Sequence, residues 1–256
     1  MKILITNDDG IRAPGIKHLW NSLKPLNSNT YIVAPAIEQS GVGACQTFSR
    51  SLQVEPVAWD DGKTLAWSCD GTPADCVKVG THGLPMSKPD IVVSGINCGS
   101  NHGRTVLFSG TVGGAIEALY QGIPSIAFSA FDIDDTDYVS FEGFIPKIIT
   151  HVTKHPLPPG TLLNVTFPSH RVTKKCGIKG LKLTRQAKQH WVNTLKSNDG
   201  KSFYTTGELL QCEEEEDSET SWLARGYVTC CPLHVHELTD RAYLDAKRAS
   251  FEELFH

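Results

Sequence analysis

Five residues, Lys2-Ile3-Leu4-Ile5-Thr6, form an apolar run that stops abruptly at Asn7-Asp8-Asp9-Gly10. A run this short, closed by charge and glycine, reads as a buried strand that opens into an acidic loop. Comparable apolar segments recur at residues 31–35, 90–95 and 122–129, each bounded by glycine, proline or polar residues, with helical periodicity between them. Such βα alternation predicts an α/β fold: a mostly parallel sheet flanked by helices. Ligands of open α/β sheets bind in the crevice outside the carboxyl ends of the strands, so Asp8 and Asp9 are expected to face the cleft.

Neighbouring carboxylates without a base beside them repel, and the remedies are a shared proton, an arginine or a divalent cation. The cation is the favoured reading. Hard ions such as Mg²⁺ or Mn²⁺ take oxygen ligands, and a loop lets two consecutive side chains turn to one point. A solvated Asx-type turn uses the same Asn-Asp-Asp-Gly composition and is the competing reading.

The chain of 256 residues is long enough for one large α/β domain with a substantial core. A core of roughly residues 1–135 is expected to carry the metal and phosphate site, and roughly residues 160–256 the strand-rich, oligomerising elements. Net charge of -4 and a pI near 6.2 supply no broad basic surface, which argues against duplex nucleic acid and leaves room for a nucleotide. Neither a signal peptide nor an apolar stretch of roughly 18 residues is present, so a cytoplasmic enzyme with no membrane contact is expected. The eight cysteines include no C-x-x-C pair, and most read as buried thiols. His234 with His236, and His151 with His155, have feasible zinc spacing but no further ligand nearby.

Along the chain, Pro14 precedes a helical stripe of Ile16, Leu19, Trp20 and Leu23. The second strand stops at Pro35 and opens into Glu38-Gln39-Ser40-Gly41, which offers Ser40 at the same sheet edge as Asp8 and Asp9. Residues 51–69 read as a hairpin around Asp60-Asp61-Gly62. Thr72-Pro73-Ala74-Asp75 reads as a capped helix start, which makes Asp70 and Asp75 structural. The strand at 90–95 runs into Asn97 and a glycine-rich loop, followed by a helix expected over Gly110–Tyr120. Its exposed N–H groups can hold a phosphate, with Ser109 and Thr111 adding hydroxyl donors. No dinucleotide fingerprint or P-loop is present. A helix continues from Tyr138 toward His155, then strands at 161–165 and within 178–210, where Ser197-Asn198-Asp199-Gly200 turns a hairpin. That arm is expected to pack on another subunit, because a lone hairpin is marginally stable. Glu213 to Asp217 reads as a solvated acidic run, and a late strand at 226–231 precedes a final helix.

Taken together, N-D-D-G at 7–10, A-P at 34–35, Q-S-G at 39–41, G-T-P-A-D-C at 71–76, S-G-I-N-C-G-S-N-H-G at 94–103 and S-G-T-V-G at 109–113 resemble the SurE family of survival-protein phosphatases. The resemblance spans the chain in order and is looser beyond about residue 170. It implies a Rossmann-like core and one divalent metal, Mg or Mn, per subunit. It implies hydrolysis of nucleoside 5′-monophosphates, with 3′-monophosphates and short polyphosphate as further family substrates. Its metal ligands fall on Asp8, Asp9, Ser40 and Asn97, and its phosphate-binding residues on Asn97, Ser109, Gly110 and Thr111. Asp8, Asp9 and Asn97 carry the catalytic expectation. Swapped C-terminal elements and the hairpin imply a homodimer or homotetramer. Arg104, where an acidic or small residue is usual, and Phe108, where tyrosine is usual, depart from the family pattern and bear on substrate preference.

The mechanism these residues imply is metal-assisted attack of water on a phosphomonoester. An aspartyl-phosphate route is disfavoured by the missing D-x-D spacing. A nucleotide-binding regulator without turnover is the alternative from another class.

Overall fold

The structure is a computed structural model that describes residues 1–133, 136–210 and 212–255. In chain order the strands are β1 (Lys2–Thr6), β2 (Asn29–Pro35), β3 (Val54–Pro56), β4 (Leu65–Cys69), β5 (Ile91–Asn97), β6 (Ser125–Ala130), β7 (Thr161–Phe167), β8 (Leu181–Leu183), β9 (His190–Ser197), β10 (Phe203–Leu210) and β11 (Val228–His234). The helices are α1 (Pro14–Leu23), α2 (Pro73–Lys78), α3 (Gly110–Tyr120), α4 (Ile145–Lys154), α5 (His170–Cys176), α6 (Glu219–Leu223) and α7 (Arg241–Glu252). Nine strands form one sheet in the order β3-β4-β2-β1-β5-β6-β7-β11-β8, and β9 and β10 pair separately.

The sheet from β4 to β7 is parallel, with β3 and β11 running antiparallel to their neighbours β4 and β7. From β1 the chain builds outward to β2 on one side, and from β5 outward to β6 and β7 on the other. The switch point therefore lies between β1 and β5, and their carboxyl ends carry Asp8–Asp9 and Asn97.

Alternation along β1 divides the core. Ile3 and Ile5 point to the layer of α1 and α4, against Ile16, Leu19, Ile145 and Ile149. Leu4 points to the opposite layer, with Tyr31, Val33, Val77 and Val92. Each fully buried aliphatic side chain of this kind contributes about 1.5–3 kcal/mol. Gly15, in the first turn of α1, is there for close approach: a Cβ would lie 1.9 Å from the Ile96 carbonyl oxygen. Only glycine lets α1 sit against the end of β5.

α2 begins as expected. Thr72 Oγ1 accepts from the Asp75 N–H at 3.2 Å, and Asp75 Oδ2 accepts from the Thr72 N–H at 3.0 Å. Asp75 also takes the Thr47 N–H at 3.0 Å and its hydroxyl at 2.7 Å. The 51–69 hairpin is β3–β4, and α3 covers its expected span.

Three features differ from the sequence reading. The helix beyond Tyr138 is broken into a 3₁₀ turn at Tyr138–Phe141 and α4, because Pro146 lacks an N–H and fits only in a helix's first turn. The short helices α5 and α6 were not expected; Ser169 and Ser218 stand at their N-caps. The acidic run is anchored as well as solvated. Glu214 Oε1 accepts the N–H groups of Lys188 and Gln189 at 2.6 and 2.9 Å, and Arg185 lies 3.5 Å from Glu215 and 3.6 Å from Asp217.

The hairpin turns at Asp199, whose Oδ1 accepts from Lys201 and Ser202 at 2.8 and 2.7 Å. Its strands keep large apolar side chains in the open, with Leu195 at 66% and Phe203 at 60% exposure. α7 likewise buries none of its described residues. No helix among the described residues is long and apolar enough to cross a membrane. The expected boundary near residue 135 lies outside the described residues.

Candidate metal and phosphate site

The site is assembled from the ends of β1 and β5, the loop after β2, and the start of α3. Asp8 is buried at 3% exposure and Asp9 half-buried. The turn that holds them is closed by Asn7, whose Nδ2 donates to the Gly10 carbonyl at 2.9 Å. Gly10 takes φ +99°, a conformation that favours glycine.

The two carboxylates are held apart by different partners. Thr111 Oγ1 donates to Asp8 Oδ1, and the Thr111 backbone N–H also points to that carboxylate. Asp9 Oδ2 accepts the Cys98 N–H at 3.0 Å. Burial raises Asp8 above the ordinary carboxylate range, against the lowering effect of the Thr111 bonds. Burial first, and then the charge of Asp8, pushes Asp9 up to about 7. No lysine, arginine or histidine among the described residues is ion-paired with either carboxylate.

Gly110 fits directly beneath Asp8. A Cβ at this position would stand 2.8 Å from Asp8 Cβ and 3.0 Å from Oδ2, so the glycine brings the N-terminus of α3 against the carboxylate. Ser109 caps that helix, its Oγ accepting from the Val112 N–H at 3.1 Å, which leaves its own proton to offer elsewhere. Asn97, buried, donates Nδ2 to the Gly99 carbonyl at 2.7 Å, so its carbonyl oxygen is the end left for a ligand. Ser40 is exposed and gives its hydroxyl to Glu38 Oε1 at 2.7 Å. Its loop is tied to the carboxylates by Gln39 N–H to the Asp8 carbonyl, 2.7 Å, and to the α3 side by Gly43 N–H to Phe108, 2.9 Å.

A cavity of about 430 Å³ opens here, with Asp8, Ser40, Asn97 and Ser109 in its wall. Thr111 is fully buried and faces Asp8 instead. The opposite wall comes from segments that sequence reasoning did not connect to the site: Phe131 and Ile133 after β6, and Trp191 and Leu209 from the hairpin. His102 also lines it, with Nδ1 2.7 Å from Ser100 Oγ and its basicity lowered by burial.

A polar scaffold supports the loop after β5. Asn101 Nδ2 donates to Ser129 at 2.8 Å, and Asn164 Nδ2 to the Asn101 carbonyl at 2.9 Å. The fully buried Glu219 accepts the N–H groups of Gly103 and Ala187 on Oε1 at 2.8 and 3.0 Å. No local motif marks Glu219, because its partners are 116 and 32 residues away.

The two histidine pairs lie elsewhere. His151 and His155 rings are 4.7 Å apart at the end of α4, and those of His234 and His236 6.2 Å apart at and beyond the end of β11.

Fold and site together define an open α/β protein with an oxygen-rich, carboxylate-bearing cleft at the switch point of its sheet. The family model described as Survival protein SurE matches residues 3–193. A protein of Protochlamydia amoebophila named 5′-nucleotidase SurE is 41% identical over 255 residues, covering 98% of this chain and 96% of its own. One of Pelotomaculum thermopropionicum with the same name is 42% identical over 245 residues, covering 94% and 91%. The crystal structure of the SurE protein from Aquifex aeolicus superposes with a TM-score of 0.80 at 35% identity, covering 98% of this chain and 100% of that one. The chain belongs to the SurE family.

Proposed function

We propose that this chain is a metal-dependent phosphomonoesterase that hydrolyses nucleoside 5′-monophosphates to nucleoside and phosphate. The observation that carries the reading is the pair of buried Asp8 and half-buried Asp9, without an ion-pair partner among the described residues, with Asp8 set against the N-terminus of α3. The names borne by its relatives supply the nucleotide.

The donor set fits a hard cation: two carboxylates, the Asn97 carbonyl oxygen and the Ser40 hydroxyl, all oxygens. These four would hold one Mg²⁺ or Mn²⁺ per subunit, which when bound supplies a water of lowered pKa and neutralises charge on the phosphoryl oxygens. Asp8 is oriented for this by Thr111, and Asp9 by the Cys98 N–H. The Gly110 N–H at the start of α3 and the Ser109 proton bind the phosphoryl oxygens and are already in place for the charge that develops on them, while the Thr111 and Val112 N–H groups hold Asp8 and Ser109. Water adds to phosphorus, the ester P–O bond breaks, and the nucleoside oxygen leaves with a proton. Phe108, Phe131 and Trp191 give the nucleoside an apolar seat and limit water around the phosphate.

The working molecule in this reading is a cytoplasmic homodimer or homotetramer, joined through the hairpin and α7, whose apolar side chains are open in the single chain. A regulator that binds nucleotide without turnover would have no use for two crowded carboxylates. The test is a panel of nucleoside monophosphates assayed with the purified protein, in EDTA and after adding back Mn²⁺ or Mg²⁺. Chelation should abolish phosphate release and metal restore it. Full activity in excess chelator, with metal analysis reading empty, overturns the metal role, and absence of turnover under every metal condition overturns the enzyme.

A further inference from the structure

The site cavity does not end at the nucleoside seat. It shares Thr105, Phe108 and Trp191 with an adjoining groove of about 680 Å³, whose far wall carries Arg104, Lys188 and His190. Lys188 is already engaged, its Nζ 2.9 Å from Glu215 Oε1. The guanidinium of Arg104 has no hydrogen bond or ion pair among the described residues, although the side chain is exposed at the groove.

The backbone beneath Arg104 is fixed from two directions. Its own N–H donates to the Gln189 carbonyl at 2.9 Å, and the Gly103 N–H to buried Glu219 at 2.8 Å. Gly103 takes φ +60°, and a Cβ there would stand 2.3 Å from that same Gln189 oxygen. An uncompensated arginine is thus presented from an ordered stem, beside two aromatic faces, in a protein of net charge -4. A guanidinium fork suits phosphate, and aromatic faces suit a base. Ordering the stem in advance lowers the cost of binding.

We propose that Arg104 is a specificity-determining residue for nucleotides that carry a second phosphate besides the one hydrolysed. The reacting phosphate lies at Asp8 and Gly110, the nucleoside between Phe108 and Trp191, and the second phosphate at Arg104. This rests on the nucleotidase reading above and adds the substrate class. Two sources share the chemistry: a nucleoside 3′,5′-bisphosphate, and a dinucleotide with a terminal phosphate.

Steady-state hydrolysis of AMP, adenosine 3′,5′-bisphosphate and the 5′-phosphorylated dinucleotide pApA by the parent and Arg104→Gln, with calorimetric titration of each ligand, tests it. In the variant, KM and Kd for at least one of the two-phosphate ligands should rise about fivefold, the scale of one exposed charge pair, with AMP changed less than about twofold. The extra affinity of the parent should fade as salt is raised. Which ligand responds tells the two sources apart. Equal changes for AMP and both two-phosphate ligands, or none, overturn the proposal. A parent inert toward AMP overturns the nucleotidase reading, and the titrations then decide the second-phosphate site independently.

Discussion

Thr111 donates its hydroxyl to Asp8 across 103 residues of chain, joining the start of α3 to the end of β1. The contact sets the direction of a carboxylate that has no salt-bridge partner among the described residues. Hydrogen bonds to charged groups contribute about 1.5–3 kcal/mol. Thr111→Val keeps the shape and deletes the donor, so kcat/KM for AMP should fall about 10- to 100-fold, while Thr111→Ser should keep most of it. A valine variant within threefold of the parent would remove the contact from the mechanism.

Asp9→Asn separates a metal cluster from a plain turn. Two unit charges about 4 Å apart interact by on the order of 4 kcal/mol at an effective dielectric near 20, before solvent relaxes the figure. In EDTA the variant should therefore melt at or above the parent's temperature. With saturating Mn²⁺ the parent should gain stability that the variant lacks, and turnover by the variant should collapse. Equal metal-induced shifts together with near-parental turnover would exclude Asp9 from the site.

Glu219 gives the fold a pH dependence of known sign. Burial, with the charge of Glu214 adding to it, pushes its carboxyl up to about 7 from an ordinary 4.5, against the lowering effect of the Ala187 and Gly103 N–H bonds. Between those values the folded state holds the proton more tightly than the unfolded chain. Stability therefore falls as pH rises from about 4.5 to 7, by on the order of 3 kcal/mol, and levels off above. Oε2 is buried without a partner and is the oxygen a proton would occupy. Glu219→Gln keeps an oxygen acceptor for the two N–H groups and should flatten that slope in urea titrations at pH 5 and pH 7.5. Parallel slopes in both proteins would assign the pH dependence to other groups.

The hairpin has two roles to separate. Leu195 and Phe203 are exposed and pair across β9 and β10 within two positions of each other, whereas Trp191 and Leu209 at its base line the cavity. Leu195→Asp with Phe203→Asp should lower the mass seen by light scattering, with metal binding unchanged. Trp191→Ala should instead raise KM for AMP several-fold, because stacking a base on an aromatic ring contributes about 1–3 kcal/mol. An unchanged oligomer in the double variant would locate the association elsewhere.

The residues legible in the sequence are those whose signal is local. Asp8 and Asp9 close an apolar run, Asn97 follows another, and Ser109-Gly110-Thr111 opens a helix. Each announces its place at a strand or helix end, and topology then gathers the ends. The partner of each group was not legible. Thr111 reads as a donor for phosphate, yet its hydroxyl goes to Asp8, because nothing nearby in sequence says which anion will face it. Trp191 and Leu209 reach the cavity through a hairpin whose pattern describes only its own pairing. The acidic run hides Glu214 for a similar reason: the chain segment it clamps, at Lys188 and Gln189, lies 26 and 25 residues earlier. Pro146, by contrast, is a local signal, and it stands in the first turn of the helix that restarts after Tyr138–Phe141.

Gly15 is no proposed ligand, yet it packs against Ile96, the residue before Asn97 at the end of β5. With the Ile96 carbonyl 1.9 Å from where a Cβ would be, any side chain must pry α1 from the end of β5 and carry the Asp9 and Asn97 loops apart. In a saturation library selected for phosphate release, position 15 should therefore be as intolerant as position 9, while milder selection for soluble expression should spare part of its variants. Mutational sensitivity alone would enrol a packing glycine among the active residues, and only comparing the two selections would tell the spacer from the ligand.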